Sequence, residues 1–280
     1  MKISIIGTGL IGGSMALKLK QKNLTSKIIG IDKNEEHLKE AYSLGIIDHY
    51  SSLEEGVKNA DLIILAIPVD AARKLLPDIL NLIGRQQTVM DVGSTKNGIV
   101  SAIRKHPNRL RYVATHPMWG TENSGPKAAH KDAFTGKAAV ICNQEESAPD
   151  AVALIQKIYA ALEMNLLYMN SKDHDIHTAY ISHISHITSY ALANTVLEKE
   201  KEEDTIFQLA SSGFSSTVRL AKSHPEMWVP IFRQNKENVL DVLNEHISQL
   251  RKFKSALEKE NYDFLEALIL NANKIRDILK

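Results

Sequence analysis

Three glycines near the start of the chain have the spacing of a phosphate-binding turn. The stretch IIGTGLIGGS contains G-x-G-x-x-G as Gly7, Gly9 and Gly12, between a β-branched apolar run and a segment of helical periodicity. In that setting the glycines permit a tight turn, a close approach to a pyrophosphate and close helix packing. The helix N-terminus offers free N–H groups, at Leu10 and Ile11, to the phosphates. The alternative is a structural turn without a ligand.

An acidic residue closes the second apolar run. Asp32 follows KIIGI, about 20 residues after the glycine turn, where a carboxylate can accept hydrogen bonds from an adenosine ribose. A carboxylate in that place repels a 2′-phosphate. We therefore expect NAD rather than NADP as the cofactor, although the neighbouring Lys33 weakens that preference slightly.

A histidine stands at the tip of a later predicted strand. RYVATHP reads as a strand, and His116 lies just before its final proline, within the stretch THPMWGTE. Such a strand ends at the nicotinamide side of the crevice, so an imidazole there could meet a substrate. The alternative is a histidine whose polar atoms are satisfied in a core or loop.

The elements that must position these residues alternate between strand and helix through the first half of the chain. Such alternation predicts an α/β fold with a Rossmann-type, doubly wound, mainly parallel sheet. After Ser171 the strand signal stops, and the remaining patterns are helical: Lys172–Glu200, Asp204–Ala221 interrupted by SSGFSS, Glu226–Glu260 and Tyr262–Lys280. We expect a dinucleotide-binding domain over residues 1–170 and an all-α domain over residues 171–280.

Composition excludes several classes of partner. The 280 residues are 44% hydrophobic and 24% charged with a net charge of +1, so no global field draws the chain to nucleic acid or a membrane. No apolar run approaches the roughly 20 residues of a membrane span. The one cysteine, Cys142, lies in a predicted buried strand and favours a reducing, cytoplasmic location.

Four stretches together resemble one enzyme family. THPMWGTE resembles the His-Pro-x-x-Gly-Thr-Glu motif of prephenate dehydrogenases, a family that includes arogenate dehydrogenases. The stretches DVGSTK, SHISH and GFSSTVRLAKSHPEMW agree with it. With the glycine turn, the resemblance runs from the first residue to about residue 243. It implies NAD-dependent oxidative decarboxylation of prephenate, or of arogenate, in tyrosine biosynthesis. It also implies a homodimer whose helical half binds substrate and forms the dimer; long amphipathic patterns in that half agree.

The resemblance also assigns roles to residues near the sheet. His116 is implied to accept a hydrogen bond from the substrate hydroxyl, as an imidazole that titrates near neutrality can. Ser94 corresponds to a serine between nicotinamide and substrate hydroxyl, and also suits a helix start. Lys96, in the same motif, is expected at the substrate with a less defined role. Glu122 is expected to pair with a cation at the site entrance.

Residues of the helical half complete the implied site. Arg219 corresponds to the arginine that holds a substrate carboxylate, for which its fork geometry is suited. His186 and His183, three residues apart on a helix, are expected to bind substrate, and Trp228 to wall the pocket. The histidines could instead lie at a helix interface, and the tryptophan in plain core packing. The stretch GFSSTVR lacks the acid that many family members carry before the arginine, so that tuning of Arg219 by a neighbouring carboxylate is in doubt.

Three other functions compete with this interpretation. β-Hydroxyacid dehydrogenases share the architecture but use a lysine from the helical half, which the pattern over Lys172–Glu200 lacks at its centre. A metal enzyme could use the histidines of HDIH and SHISH, but no matching carboxylate or cysteine set is evident, and we expect no metal. A non-catalytic NAD sensor would not need His116.

Overall fold

Eight strands form one sheet in the computed structural model, which describes residues 1–201 and 205–278. The strands are β1 (Lys2–Ile6), β2 (Lys27–Ile31), β3 (His49–Tyr50), β4 (Leu62–Leu65), β5 (Thr88–Asp91), β6 (Tyr112–Pro117), β7 (Ala138–Cys142) and β8 (Asn165–Met169). Their order across the sheet is β3-β2-β1-β4-β5-β6-β7-β8. All neighbours pair in parallel except β6 and β7, which are antiparallel. The predicted Rossmann-type, mainly parallel sheet is confirmed.

The strand order creates a crevice at one edge of the sheet. Strand β1 lies between β2 and β4, so successive connections run in opposite directions from β1. In open α/β sheets ligands bind at such a point, outside the carboxyl ends of the strands. The glycine turn after β1, the loop after β5 and the end of β6 all lie at this carboxyl edge.

Six helices cover the sheet: α1 (Leu10–Gln21), α2 (Glu35–Ser43), α3 (Leu53–Lys58), α4 (Val69–Leu82), α5 (Asn97–Ala102) and α6 (Pro149–Ala161). The sequence patterns predicted four of these helices and missed α3 and the two-residue strand β3, whereas α5 was considered only as a helix start after Ser94. Alternate side chains of β4 enter different apolar clusters, with Ile64 on one face and Ile63 and Leu65 on the other. Burial on both faces explains why the central strands are continuous apolar runs.

The second half of the described chain is helical, as predicted. It contains α7 (Ser171–Thr178), a π-helical turn (Ala179–His183), α8 (Ile184–Glu200), α9 (Ser212–Thr217), α10 (Pro225–Gln234), α11 (Lys236–Glu258) and α12 (Tyr262–Asn273), with 3₁₀ turns at Ile206–Leu209, Arg219–Lys222 and Lys274–Asp277. The helix expected over Glu226–Glu260 is broken at Asn235. The sequence EKEKEED, after the first of the predicted helical patterns, predicts a solvated charged turn, and this stretch lies partly outside the described residues. None of the described helices is both long and apolar enough to span a membrane.

Helix α10 packs the helical half against the carboxyl edge of the sheet. Val69 of α4 forms an apolar cluster with Trp228 and Ile231 of α10. Beside it, the carboxylate of Asp70 accepts hydrogen bonds from Arg233 at 2.8 Å and from Gln234 at 2.7 Å. The crevice is therefore bounded by strand ends on one side and by helices on the other.

Candidate active site

Two glycines of the first turn occupy positions that no side chain could share. Gly7 has φ +97°, and a Cβ there would lie 2.2 Å from the carbonyl oxygen of Ala66. A Cβ on Gly12 would lie 2.1 Å from the carbonyl oxygen of Gly7. At Gly9 the nearest atom to such a Cβ, the nitrogen of Gly125, is 3.9 Å away, so the space above the turn is open. The turn is tight beneath and accessible above, as a phosphate-binding turn requires.

Asp32 anchors the same turn. Its carboxylate accepts hydrogen bonds from the backbone N–H groups of Thr8 and Asn34, both at 3.0 Å, and its side chain keeps 11% of its surface exposed. Helix α1 begins after Gly9 with no side-chain cap, so its first N–H groups are available to an anion. These residues fit the phosphates and the ribose of a dinucleotide.

His116 stands at the carboxyl end of β6 and contacts a histidine of the helical half. Its Nδ1 lies 2.9 Å from Nε2 of His174 on α7. The Nδ1 atom of His174 in turn lies 2.8 Å from Oδ1 of Asp175. Both His174 and Asp175 are buried, at 1% and 3% exposure. A three-residue chain therefore runs from the interior of the helical half to the imidazole at the strand tip.

Asp175 also fixes the loop that carries Ser94. Its two carboxylate oxygens accept hydrogen bonds from the backbone N–H groups of Lys96 at 2.7 Å and Asn97 at 2.9 Å. Ser94 is half-buried in the same loop, between β5 and α5. One carboxylate thus positions both elements that lie next to the crevice.

A buried ion pair supports the site from beneath. The ammonium of Lys96 contacts the carboxylate of Asp91 and donates to the carbonyl of Thr115 at 2.7 Å. Asp91 also accepts from the hydroxyl of Tyr112 at 2.6 Å. The side chain of Lys96 has no exposed surface. Lys96, expected at the substrate, therefore lies under the site with its charge neutralised by Asp91.

An aromatic stack forms the helical wall. The ring of His186 stacks on Trp228 with centroids 3.4 Å apart, and its Nδ1 lies 3.0 Å from the carbonyl oxygen of Ser182. His183 is only 1% exposed, and its Nδ1 lies 3.1 Å from the side-chain nitrogen of Asn235. His183 therefore stands behind the wall, whereas His186 forms part of it.

An ion pair bridges the two halves at the entrance. A guanidinium nitrogen of Arg219 lies 3.4 Å from Oε2 of Glu122, and the two side chains are 54% and 31% exposed. The cation expected near Glu122 is thus Arg219. Although GFSSTVR carries no acid, the arginine obtains a carboxylate partner from the loop after His116.

The histidines of the site are biased towards their neutral forms. Burial, assisted by the neighbouring His174, Lys96 and His183, holds the pKa of His116 well below its ordinary value. Burial also lowers the pKa of His174, and lowers that of His183 to about 4. The expectation that His116 titrates near neutrality is therefore wrong, because its surroundings disfavour the imidazolium. The neutral ring can accept a hydrogen bond at pH 7.

The sequence raised the possibilities of a metal site and of a reactive cysteine. Within residues 1–201 and 205–278, no group of three or more His, Cys, Asp or Glu side chains is arranged to hold a metal ion. Burial raises the pKa of the Cys142 thiol to about 12, which leaves it protonated and unreactive in the core.

Comparison with known proteins decides the family. Residues 15–168 match the family model described as prephenate dehydrogenase, nucleotide-binding domain, and residues 170–271 match the model described as prephenate dehydrogenase, dimerization domain. The chain belongs to the prephenate dehydrogenase family.

Individual relatives agree with that membership. Prephenate dehydrogenase from Bacillus subtilis is 32% identical over 278 residues, which cover 98% of this chain and 75% of the relative. The crystal structure of Aquifex aeolicus prephenate dehydrogenase with hydroxyphenyl propionate and NAD+ is 28% identical, with a TM-score of 0.91 over 99% of this chain and 98% of that one. Synechocystis arogenate dehydrogenase is 25% identical, with a TM-score of 0.80 over the full length of both chains.

In this member of the prephenate dehydrogenase family, the sequence motifs identified most residues that line the crevice. They did not identify the buried residues that hold those side chains in place. The structure brings Gly9, Asp32, Ser94 and His116 to one edge of the sheet. It sets Glu122, Arg219, His186 and Trp228 along the helical side of that edge. Sequence reasoning missed the roles of His174, Asp175, Asn235 and Asp91. The only available signal was HDIH directly after the predicted helix start, and it was considered there only as a set of metal ligands.

Proposed function

We propose that the chain catalyses the NAD-dependent oxidative decarboxylation of prephenate to 4-hydroxyphenylpyruvate. The observation that carries the proposal is His116, a neutral hydrogen-bond acceptor held at the carboxyl edge of a dinucleotide-type sheet. Membership in the prephenate dehydrogenase family supports the substrate. The Aquifex aeolicus relative, whose structure contains NAD+, supports the cofactor.

The chain's own groups have distinct tasks in this proposal. The N–H groups of Leu10 and Ile11 would hold the dinucleotide phosphates, and Asp32 would accept hydrogen bonds from the adenosine ribose. When bound, NAD supplies the acceptor for the hydride. Ser94, half-buried in the loop between β5 and α5, would contact the nicotinamide and the substrate hydroxyl. His116 accepts the hydroxyl hydrogen bond at Nε2, since its Nδ1 contacts His174.

His116 transfers a proton twice in the proposed reaction, first from the substrate and later to the product. The substrate loses a hydride from the carbon that bears the hydroxyl, and a carbonyl begins to form there. His116 takes up the hydroxyl proton at this stage. The ring carboxylate then departs as carbon dioxide, and the electrons of the broken C–C bond make the ring aromatic. The phenolate oxygen regains the proton from His116, so no net proton is released in this sequence.

Substrate recognition falls to the entrance and the helical wall. Arg219 binds a substrate carboxylate, and Glu122 holds the guanidinium in place until substrate arrives. His186 and Trp228 form the wall beside the substrate ring. Lys96 and His183 are almost completely buried, so they support the site rather than bind the substrate.

Arogenate is the second candidate substrate, since a structure named arogenate dehydrogenase matches both halves of the chain. Arogenate carries an amine where prephenate carries a keto group. Steady-state formation of NADH with each substrate separates the two. A kcat/KM for prephenate well above that for arogenate is expected, and the reverse order would change the substrate assignment. No turnover of either compound would overturn the proposed function.

We also infer a cytoplasmic homodimer with a domain boundary near residue 170. Helices α11 and α12 expose large apolar side chains, including Leu250 (55%), Leu257 (57%) and Leu270 (58%), and residues 170–271 match a dimerization domain. The unpaired, buried Cys142 fits a reducing compartment. Sedimentation should give twice the chain mass of 31.2 kDa, and a mass of one chain would refute the dimer.

A further inference from the structure

The two hydrogen bonds that link His116, His174 and Asp175 have a defined order of donors and acceptors. An ionised carboxylate can only accept hydrogen bonds, so Nδ1 of His174, 2.8 Å from Asp175, must carry a proton. A neutral imidazole carries one ring proton, and the pKa of His174 is lowered, chiefly by burial. Its Nε2 therefore carries a free lone pair and no proton. That lone pair lies 2.9 Å from Nδ1 of His116, which must then be the donor. The remaining nitrogen of His116, Nε2, is left unprotonated.

We propose that His174 and Asp175 are positioning residues that fix His116 in the tautomer with a free lone pair on Nε2. This inference deepens the proposed function and rests on it, since a free Nε2 is what acceptance from the substrate hydroxyl requires. The opposite tautomer would present an N–H to that hydroxyl and could not take up its proton. An imidazole oriented by a buried acid is a known device for preparing a general base.

Neighbouring groups hold the side chains of this His116–His174–Asp175 series in fixed positions. Both oxygens of Asp175 receive backbone N–H groups of the Ser94 loop, at 2.7 and 2.9 Å. The backbone carbonyl of Asp175 accepts from the side chain of Asn235 at 2.6 Å. The carboxylate therefore cannot turn away from His174 without breaking the loop contacts. The same anchor that sets the tautomer of His116 also sets the position of Ser94.

In the resting site, burial favours neutral imidazole rings at His116 and His174. The buried ammonium of Lys96 is already paired with Asp91, yet it still disfavours the imidazolium form of His116. When His116 takes the substrate proton during the reaction, the new positive charge lies one hydrogen bond from His174. The carboxylate of Asp175 lies beyond that ring. Asp175 can therefore stabilise a transient cation that the resting site disfavours.

The direct test is ¹⁵N NMR of the wild-type enzyme labelled at histidine, at neutral pH. Protonated and unprotonated ring nitrogens have well-separated chemical shifts, and the resonances of His116 are assigned by their loss in His116→Asn. We expect a protonated Nδ1 and an unprotonated Nε2 at His116. A protonated Nε2 would overturn the inference. This measurement uses no substrate, so its result is independent of whether the chain turns over prephenate.

Variants of His174 test the consequence for rate. His174→Leu removes the acceptor for His116 Nδ1 and should lower kcat on the order of 10²-fold, with KM for prephenate nearly unchanged. His174→Gln, whose amide oxygen can still accept from Nδ1, should recover most of that loss. His177→Gln on the exposed side of the same helix is the matched control and should behave as wild type.

The outcomes of the two experiments are separable. If His174→Leu and His174→Gln lose the same activity, or neither loses any, then His174 does not act through the tautomer. Should His174→Leu fail to fold, the ¹⁵N NMR of the wild type still decides which nitrogen of His116 carries the proton. A wild-type enzyme without activity on prephenate or arogenate would refute the proposed function and leave the tautomer to be judged by NMR alone.

Discussion

Replacement of His116 by asparagine removes the proposed acceptor while it keeps a polar side chain at the strand tip. The imidazole of His116 makes one hydrogen bond to His174, at 2.9 Å, and lies on a strand paired with β7 through His116 and Val140. The backbone pairing does not depend on the side chain. We therefore expect His116→Asn to fold with the same sheet.

Two effects of His116→Asn can be estimated, one on the free energy of unfolding and one on kcat. Loss of the contact leaves Nε2 of the buried His174 without its partner unless the asparagine amide reaches it, which costs about 1–3 kcal/mol of unfolding free energy. The rate effect should be larger. A general base contributes on the order of 10²–10⁴-fold, or about 3–5 kcal/mol of barrier. Because the hydrogen bond strengthens as the carbonyl forms, kcat should fall while KM stays within a few-fold.

The assay is initial-rate formation of NADH with prephenate between pH 4.5 and 9. In the wild type the rate should fall towards acid, because a protonated imidazole cannot accept. Burial, assisted by the neighbouring His174, Lys96 and His183, lowers the pKa of His116, so this acid limb should lie well below pH 6.5 in the free enzyme. The limb should disappear in His116→Asn. Circular dichroism and NAD binding of the variant serve as the controls for folding.

A folded His116→Asn enzyme with kcat within a few-fold of wild type would refute the reasoning. The stretch THPMWGTE would then only shape the crevice. The acceptor would have to be sought at Ser94 or His186, which are the other polar side chains proposed beside the substrate. An unchanged acid limb in the variant would contradict the assignment equally.

Four further predictions concern binding and stability. Arg219→Ala should raise KM for prephenate without altering NAD affinity; since the side chain is 54% exposed, we expect a loss of about 2 kcal/mol, roughly 30-fold, at the lower end of the range for charged partners. Asp32→Ala should narrow the preference for NAD over NADP in kcat/KM, and a wild type that prefers NADP would refute the ribose assignment. Lys96→Met should lower the free energy of unfolding by about 3–5 kcal/mol in urea titrations, because Asp91 loses its buried partner. The pKa of His183 is lowered to about 4, so the unfolded chain binds a proton at this histidine at higher pH than the folded chain does. As the pH falls from 6.5 to about 4, the free energy of unfolding should therefore decrease by on the order of 3 kcal/mol from this group. A free energy of unfolding that does not change over this pH range would contradict the burial of His183.

Local rules were sufficient for the parts of the fold that depend on short stretches of sequence. The glycine turn was predictable because Gly7 and Gly12 occupy positions where a Cβ would meet backbone oxygen. The central strands were predictable because burial on both faces requires uninterrupted apolar residues. Strand β3 was not, since only two residues pair with β2. The break at Asn235 was not visible either, because the apolar periodicity continues across it.

The support of the site depends on contacts between distant parts of the chain. His174 contacts His116 across 58 positions, and Asp175 contacts the N–H of Lys96 across 79 positions. No local pattern distinguishes such a pair from exposed polar residues at a helix start. Lys96 lies five positions from Asp91, but the sequence does not show that its side chain turns back beneath β6. Motif resemblance finds the groups that would touch substrate more readily than those that hold them.

The central claim is that the chain removes a hydride from the hydroxyl-bearing carbon of prephenate and releases its ring carboxylate in the same turnover. The measurement is incubation of the wild-type enzyme with NAD and prephenate deuterated at that carbon, followed by mass spectrometry of the products. We expect reduced cofactor that carries one deuterium for each molecule of carbon dioxide and of 4-hydroxyphenylpyruvate formed. Reduced cofactor without deuterium, or carbon dioxide release without cofactor reduction, would contradict it.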